Sequence, residues 1–187
     1  MNTRIIVDST ADLMPEFKSR VHTVPLTVNF GDEEYIDGVT INHKTFYEKL
    51  IESDVLPTTS QATPDAFIKE FEKAKEAGVA AVVITLASKF SGTYQSATIA
   101  ADDYENIYVV DSSSATMGSG ILVELAFKLL DEGKNAEKIA AILEEQKKKI
   151  IIVALVDTLE YLKKAVVFPK WLLLPAAYLI SSLFFLL

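Results

Sequence analysis

Apolar runs of strand length alternate along this chain with stretches of helical period, and that alternation limits the fold more than any other feature. It is the pattern of βαβ units, in which a buried strand passes through a helix into a second strand parallel to the first. Arg4–Asp8, Ala80–Leu86 and Ile107–Asp111 are three such strands, each feeding a helix. Ala80–Leu86 is nearly continuous in apolar residues, as expected of a central strand covered on both faces. The fold class read from this is α/β: over residues 4–160, a three-layer α/β/α domain with a mostly parallel sheet containing those three strands.

The remaining segments fill in around that frame. Ser9–Leu13 reads as a helix start with capping hydroxyls, and Val21–Phe30 as one strand region with alternating Val24, Leu26, Val28 and Phe30. Gly31–Glu34 is a turn after which Glu34–Gly38 pairs back as a short ribbon. Asn42 caps an amphipathic stretch with Phe46, Tyr47 and Leu50, and Leu56–Gln61 is a loop. Thr63-Pro64-Asp65 opens a helix burying Phe67, Ile68 and Phe71, which Gly78 ends. Further helices are expected from about Tyr94 to Tyr104, through Leu130, and over Asn135–Lys149; Gly118-Ser119-Gly120 reads as a turn and Ile150–Val156 as another buried strand.

Composition excludes several classes of chemistry. The 187 residues carry 18 Lys and Arg against 26 Asp and Glu, a net charge of −8, and show no clustered basic face, so nucleic acid is not an expected partner. With no cysteine there is no disulfide, thiolate metal site or thiol nucleophile. The first residues lack the apolar core of a secretory signal, so a cytoplasmic protein is expected. No phosphate-binding Gly-x-x-x-x-Gly-Lys run occurs, and Gly118-x-Gly120 lacks the third glycine of a dinucleotide fingerprint. His22 and His43 stand without a Gly-x-Ser-x-Gly elbow, which leaves a hydrolase or phosphatase without a recognisable nucleophile and base. Asp102-Asp103 has no third ligand at metal spacing, and Lys147–Lys149 suits a helix C-terminus. No catalytic residue, metal or cofactor is assigned.

Candidate chemistry lies in hydroxyl-rich loops. Three follow strands: Asp8-Ser9-Thr10, Ser88–Thr93 and Ser112–Ser114; a fourth is Thr58-Thr59-Ser60-Gln61. In an open parallel sheet, ligands bind beyond the carboxyl ends of the strands. Helix N-termini there offer free amides to an anion, and hydroxyls add directed hydrogen bonds. The alternative for any one of these loops is an ordinary helix cap.

Four segments carry a family resemblance: Ile5–Leu13 (IIVDSTADL), Pro57–Gln61 (PTTSQ), Phe90–Ala97 (FSGTYQSA) and Val156–Lys164 (VDTLEYLKK), with Asp37-Gly38 followed by Phe46–Leu50 between them. In order and spacing from residue 4 to Lys164 the chain resembles the DegV family of bacterial fatty-acid-binding proteins. The resemblance implies a carrier, not a catalyst, that holds a long-chain fatty acid in an apolar tunnel and presents it to a separate fatty acid kinase for acyl phosphate formation. It further implies that Thr59 and Ser91 hydrogen-bond the carboxylate, with Ser60, Gly92 and Thr93 beside them.

The family pattern continues after Lys163-Lys164 with Gly-Gly-Arg-Ile-Ser-Lys and a second α/β domain, whereas residues 165–187 here are apolar with one charge, Lys170. A DegV-like domain over 1–164 with the second domain absent is therefore expected, the chain being truncated. Codons for Ala165–Trp171, read one base back after a G, permit Gly-Gly-Arg-Ile-Ser-Lys-Val, and those for Ala176–Ser181 permit Gly-Gly-Leu-Leu-Asn-Ile. Residues 165–187 thus read as a frameshifted, out-of-frame continuation. The alternative takes Trp171–Leu187 at face value as a C-terminal membrane anchor at the short end of the spanning range, about 17–25 residues; membrane contact is expected only on that reading.

Overall fold

The computed structural model describes residues 3–156 and 183–186. In chain order the elements are β1 (Thr3–Asp8), α1 (Pro15–Lys18), β2 (His22–Val24), β3 (Thr27–Phe30), β4 (Glu33–Ile36), α2 (His43–Glu52) and β5 (Thr58–Ser60). There follow α3 (Pro64–Glu76), β6 (Ala80–Thr85), α4 (Thr93–Ala101), β7 (Ile107–Asp111), α5 (Met117–Asp131), α6 (Ala136–Gln146), β8 (Val153–Val156) and β9 (Leu183–Leu186). The segment Asp157–Lys164 and the bulk of the apolar tail lie outside the described residues.

The main sheet has the order β2-β1-β6-β7 and is parallel throughout. Alternation along its central strands sends side chains to two separate cores. Ile5, Val7, Val82, Ile84 and Val110 face α5 and α6, where they meet Leu122, Phe127, Ile139 and Leu143. Ile6, Val24, Ala81 and Val83 face α3 and α4, where they meet Phe67, Phe71 and Ala97. Helices thus cover both faces, which is the three-layer α/β architecture expected and the reason Ala80–Thr85 tolerates so little polarity.

Several local expectations are corrected. Val21–Phe30 is two strands, because Pro25 has no N–H to offer a ladder. β2 stays in the main sheet while β3 leaves it for a second, antiparallel sheet of order β4-β3-β5, in which Val28 and Phe30 pack with Ile41 and Phe46. Thr58–Ser60, read as loop, is the edge strand β5, paired with β3 from Asn29 to Thr27. Ser9–Leu13 starts no helix; a single turn, α1, follows only at Pro15. Ile68 faces outward on α3 while Phe67, Phe71 and Ala74 are buried. Gly118 and Gly120 are helical, within the first turn of α5. Ile150–Val156 is not a buried strand of the main sheet: Ile151 and Val153 are exposed, and β8 pairs antiparallel with β9. Among the described residues no helix is long and apolar enough to cross a membrane.

Candidate functional site

The carboxyl ends of β1, β6 and β7 converge on one edge, where the three hydroxyl-rich loops meet. Two of the three are braced largely by internal bonding. At the end of β1 the Asp8 carboxylate is buried; it accepts from Thr10 N at 2.9 Å, Thr10 Oγ1 at 2.6 Å and, across the sheet, Leu86 N at 2.6 Å. Ser9 Oγ accepts from Leu26 N at 3.0 Å, so this loop braces β1 against its neighbours. Burial pushes the Asp8 carboxyl above the usual aspartate range; bonds from Thr10 and Leu86 oppose this, and the nearby Asp37 charge adds to it.

At the end of β7, Asp111 takes Ser88 Oγ at 2.6 Å and Ser113 N at 2.8 Å, tying the loops after β6 and β7 together. Ser112, Ser114 and Ser119 are buried; Ser112 Oγ donates to the Ser114 carbonyl at 2.9 Å and lies 3.1 Å from Ser119 Oγ. These hydroxyls hold a loop in which Ser113 and Thr116 have φ of 54° and 48°. Ser114 Oγ itself is buried and has no hydrogen-bond partner among the described residues.

The third loop differs. It leads into the nine-residue helix α4, with Gly92 at the N-cap and no side chain capping it. Thr93 N donates to Ser91 Oγ at 3.2 Å; the next two amides, of Tyr94 and Gln95, find no acceptor among the described residues. Ser91 is half-buried, whereas Thr93 is fully buried. Asp102 and Asp103, beyond the other end of α4, are exposed, and no cluster of metal-ligating side chains occurs among the described residues.

The strand β5 is brought to this helix end by its continuation. Gln61 Nε2 donates to Ser96 Oγ at 2.9 Å, and Ala62 N donates to Thr93 Oγ1 at 3.3 Å. The same contact presses on Gly92: a Cβ there would lie 2.0 Å from Gln61 Oε1 and would displace the end of that side chain. Of the five candidates, the structure joins Ser91, Gly92 and Thr93 in one turn; Thr59 and Ser60 directly precede the Gln61 and Ala62 contacts in chain order, and among the described residues no hydrogen bond links either of them to that turn. Thr59 and Ser60 leave opposite faces of the small sheet, since successive strand residues alternate. Ser60 Oγ accepts from Asn29 Nδ2 at 3.2 Å; Thr59 is exposed on the edge strand.

A separate open cleft of about 780 Å³ lies by the end of β1, lined among others by Asp8, Thr10, Asp37, Asn42 and His43; none of the five candidates lines it. Sequence reasoning missed Gln61 and the bracing roles of Asp8 and Asp111. Their signal was present: each aspartate ends an apolar strand, where a carboxylate meets the free amides of neighbouring loops.

The comparisons with known proteins agree on kinship. The family described as "Uncharacterised protein, DegV family" matches residues 2–165. A DegV domain-containing protein of Caldanaerobacter subterraneus is 39% identical over 162 residues, covering 84% of this chain and 58% of that protein. Among solved structures, a DegV family protein from Thermus thermophilus described by its fatty acid binding is 34% identical with a TM-score of 0.79, covering 88% of this chain and 60% of its own. DegV from Bacillus subtilis, described as a fatty acid binding protein, is 32% identical with a TM-score of 0.79 and the same coverage of 88% and 60%. The chain spans about six tenths of the length of these relatives. The match across residues 2–165, together with the shared fold, places this chain in the DegV family.

Proposed function

We propose that this chain binds a long-chain fatty acid by its carboxylate at the N-terminus of α4, with Ser91 and Thr59 as hydrogen-bond donors and Ser60, Gly92 and Thr93 beside them. The observation that carries the reading is that Ser91, half-exposed, stands at the N-terminus of α4, where the amides of Tyr94 and Gln95 find no acceptor among the described residues. The positive end of the helix dipole and unpaired N–H groups favour an anion there. Relatives at 34% and 32% identity described as binding fatty acids support the choice of anion. Each buried methylene of such a ligand contributes about 0.8 kcal/mol, so an acyl tail supplies most of the affinity and the polar site its orientation.

In this proposal the protein is a cytoplasmic carrier that presents the acid to a separate kinase for acyl phosphate formation, and no residue of its own is catalytic. Thr59→Ala and Ser91→Ala are each expected to weaken fatty acid binding by about 1.5–3 kcal/mol, the scale of a hydrogen bond to a charged group. Titration calorimetry with a sixteen-carbon acid checks this. Affinity unchanged in both variants would remove the site from α4.

A further inference from the structure

We infer that Thr93 is a positioning residue that fixes the direction of the Ser91 hydroxyl, making Ser91 a donor toward the ligand; this rests on the carboxylate site proposed above. Thr93 Oγ1 accepts from Ala62 N at 3.3 Å and lies 2.9 Å from Ser91 Oγ, a pair in which either oxygen could donate. Thr93 is 0% exposed, and among the described residues its hydroxyl proton has no acceptor other than Ser91 Oγ.

Were Ser91 the donor of that pair, Thr93 Oγ1 would accept twice and its own proton would be buried without a partner, a costly arrangement. Thr93 is therefore the donor. Ser91 Oγ, which also accepts from Thr93 N at 3.2 Å, then has both lone pairs engaged by one residue. Only its proton remains, and Ser91 is half-exposed, so that proton is directed outward.

The series runs from the Ala62 N–H through the Thr93 and Ser91 hydroxyls to the ligand. It gives the site a consequence beyond affinity. A Ser91 oxygen that can donate and not accept gives a carboxylate a charge-assisted bond, but gives a fatty alcohol only a neutral bond to its oxygen and no acceptor for its O–H. With valine at 93, the backbone N–H of that residue still donates to Ser91 Oγ, but one lone pair is freed to accept from an alcohol and the distinction narrows. A merely structural defect would weaken both ligands alike.

The test uses the full chain and compares binding of a sixteen-carbon acid with the alcohol of the same length. Wild type is expected to prefer the acid, Thr93→Val to reduce that preference about tenfold, the size of one charge-assisted hydrogen bond, and Thr93→Ser to restore it. A wild type with no preference overturns the carboxylate site itself. Preference retained in a folded Thr93→Val overturns the role of Thr93 alone. Hydroxyl-proton exchange measured by NMR on the wild type needs no variant. A slowly exchanging proton on Thr93 is expected; a slow proton on Ser91 with a fast one on Thr93 would overturn the assignment even if Thr93→Val does not fold.

Discussion

Asp8→Ala is expected to destabilise the domain by about 3–5 kcal/mol, because removing this buried carboxylate strands more than one donor and each buried unsatisfied donor costs about 1–3 kcal/mol. Leu86 N loses a 2.6 Å bond that joins the end of β1 to the end of β6, and Thr10 loses two bonds that shape the loop after β1. The pH dependence carries a second signature. Burial holds the Asp8 carboxyl above the usual aspartate range, so the native state keeps this proton to higher pH than the unfolded chain. The contribution of the group is fully present below the unfolded value, about 4, and is lost as pH rises through the raised folded value. The gap between wild type and Asp8→Ala should therefore narrow as pH rises from about 4. Urea unfolding across that range checks both statements; a variant within 1 kcal/mol of wild type, or a constant gap, would contradict them.

Gly120→Ala is the second large effect, and its sign opposes simple propensity. Gly120 lies in the first turn of α5, where alanine in a helix is ordinarily better by about 1 kcal/mol. A Cβ at this position would stand 2.1 Å from the Asp12 carbonyl oxygen, a backbone atom that cannot rotate away. The loop after β1 is held there by Asp12 N donating to the Thr116 carbonyl at 3.1 Å. Overpacking of this kind costs about 1–3 kcal/mol, and more where backbone must move, so Gly120→Ala should lose at least 2 kcal/mol. Thermal or urea unfolding checks it. A neutral or stabilised variant would show that α5 and the Asp8–Leu13 loop do not approach as described.

What could be read from residues alone follows from where packing speaks through pattern. β1 and β6 were legible because a strand buried on both faces has few choices besides Val, Ile and Ala, and the half-buried edge strand β7 because Ile107–Val110 is still an unbroken apolar run. The caps at Asn42, Thr63 and Asn135 were legible or implied because each side chain accepts from its own first turn. β5 was not, since Thr58-Thr59-Ser60 has no apolar pattern and is a strand only through its pairing with β3. Pro25 was visible but its consequence, a change of sheet, depends on tertiary context. At the site, the hydroxyl-rich loops were evident as a set, yet their different fates were hidden: Ser9 and Ser112 spend their hydroxyls on backbone, whereas Ser91 stands half-exposed at the start of α4. The glycine at 92 carried a readable signal of close approach, but its neighbour, Gln61, stands 31 positions away in chain order and is brought there by β5 and α3.

Mass spectrometry of the small molecules extracted from the purified full chain tests the proposed carriage of a long-chain fatty acid. Saturated or monounsaturated long-chain acids are expected in near-stoichiometric amount, lost together in the Thr59→Ala, Ser91→Ala double variant. Extracts without an acyl acid, or acids retained equally by the double variant, would contradict it.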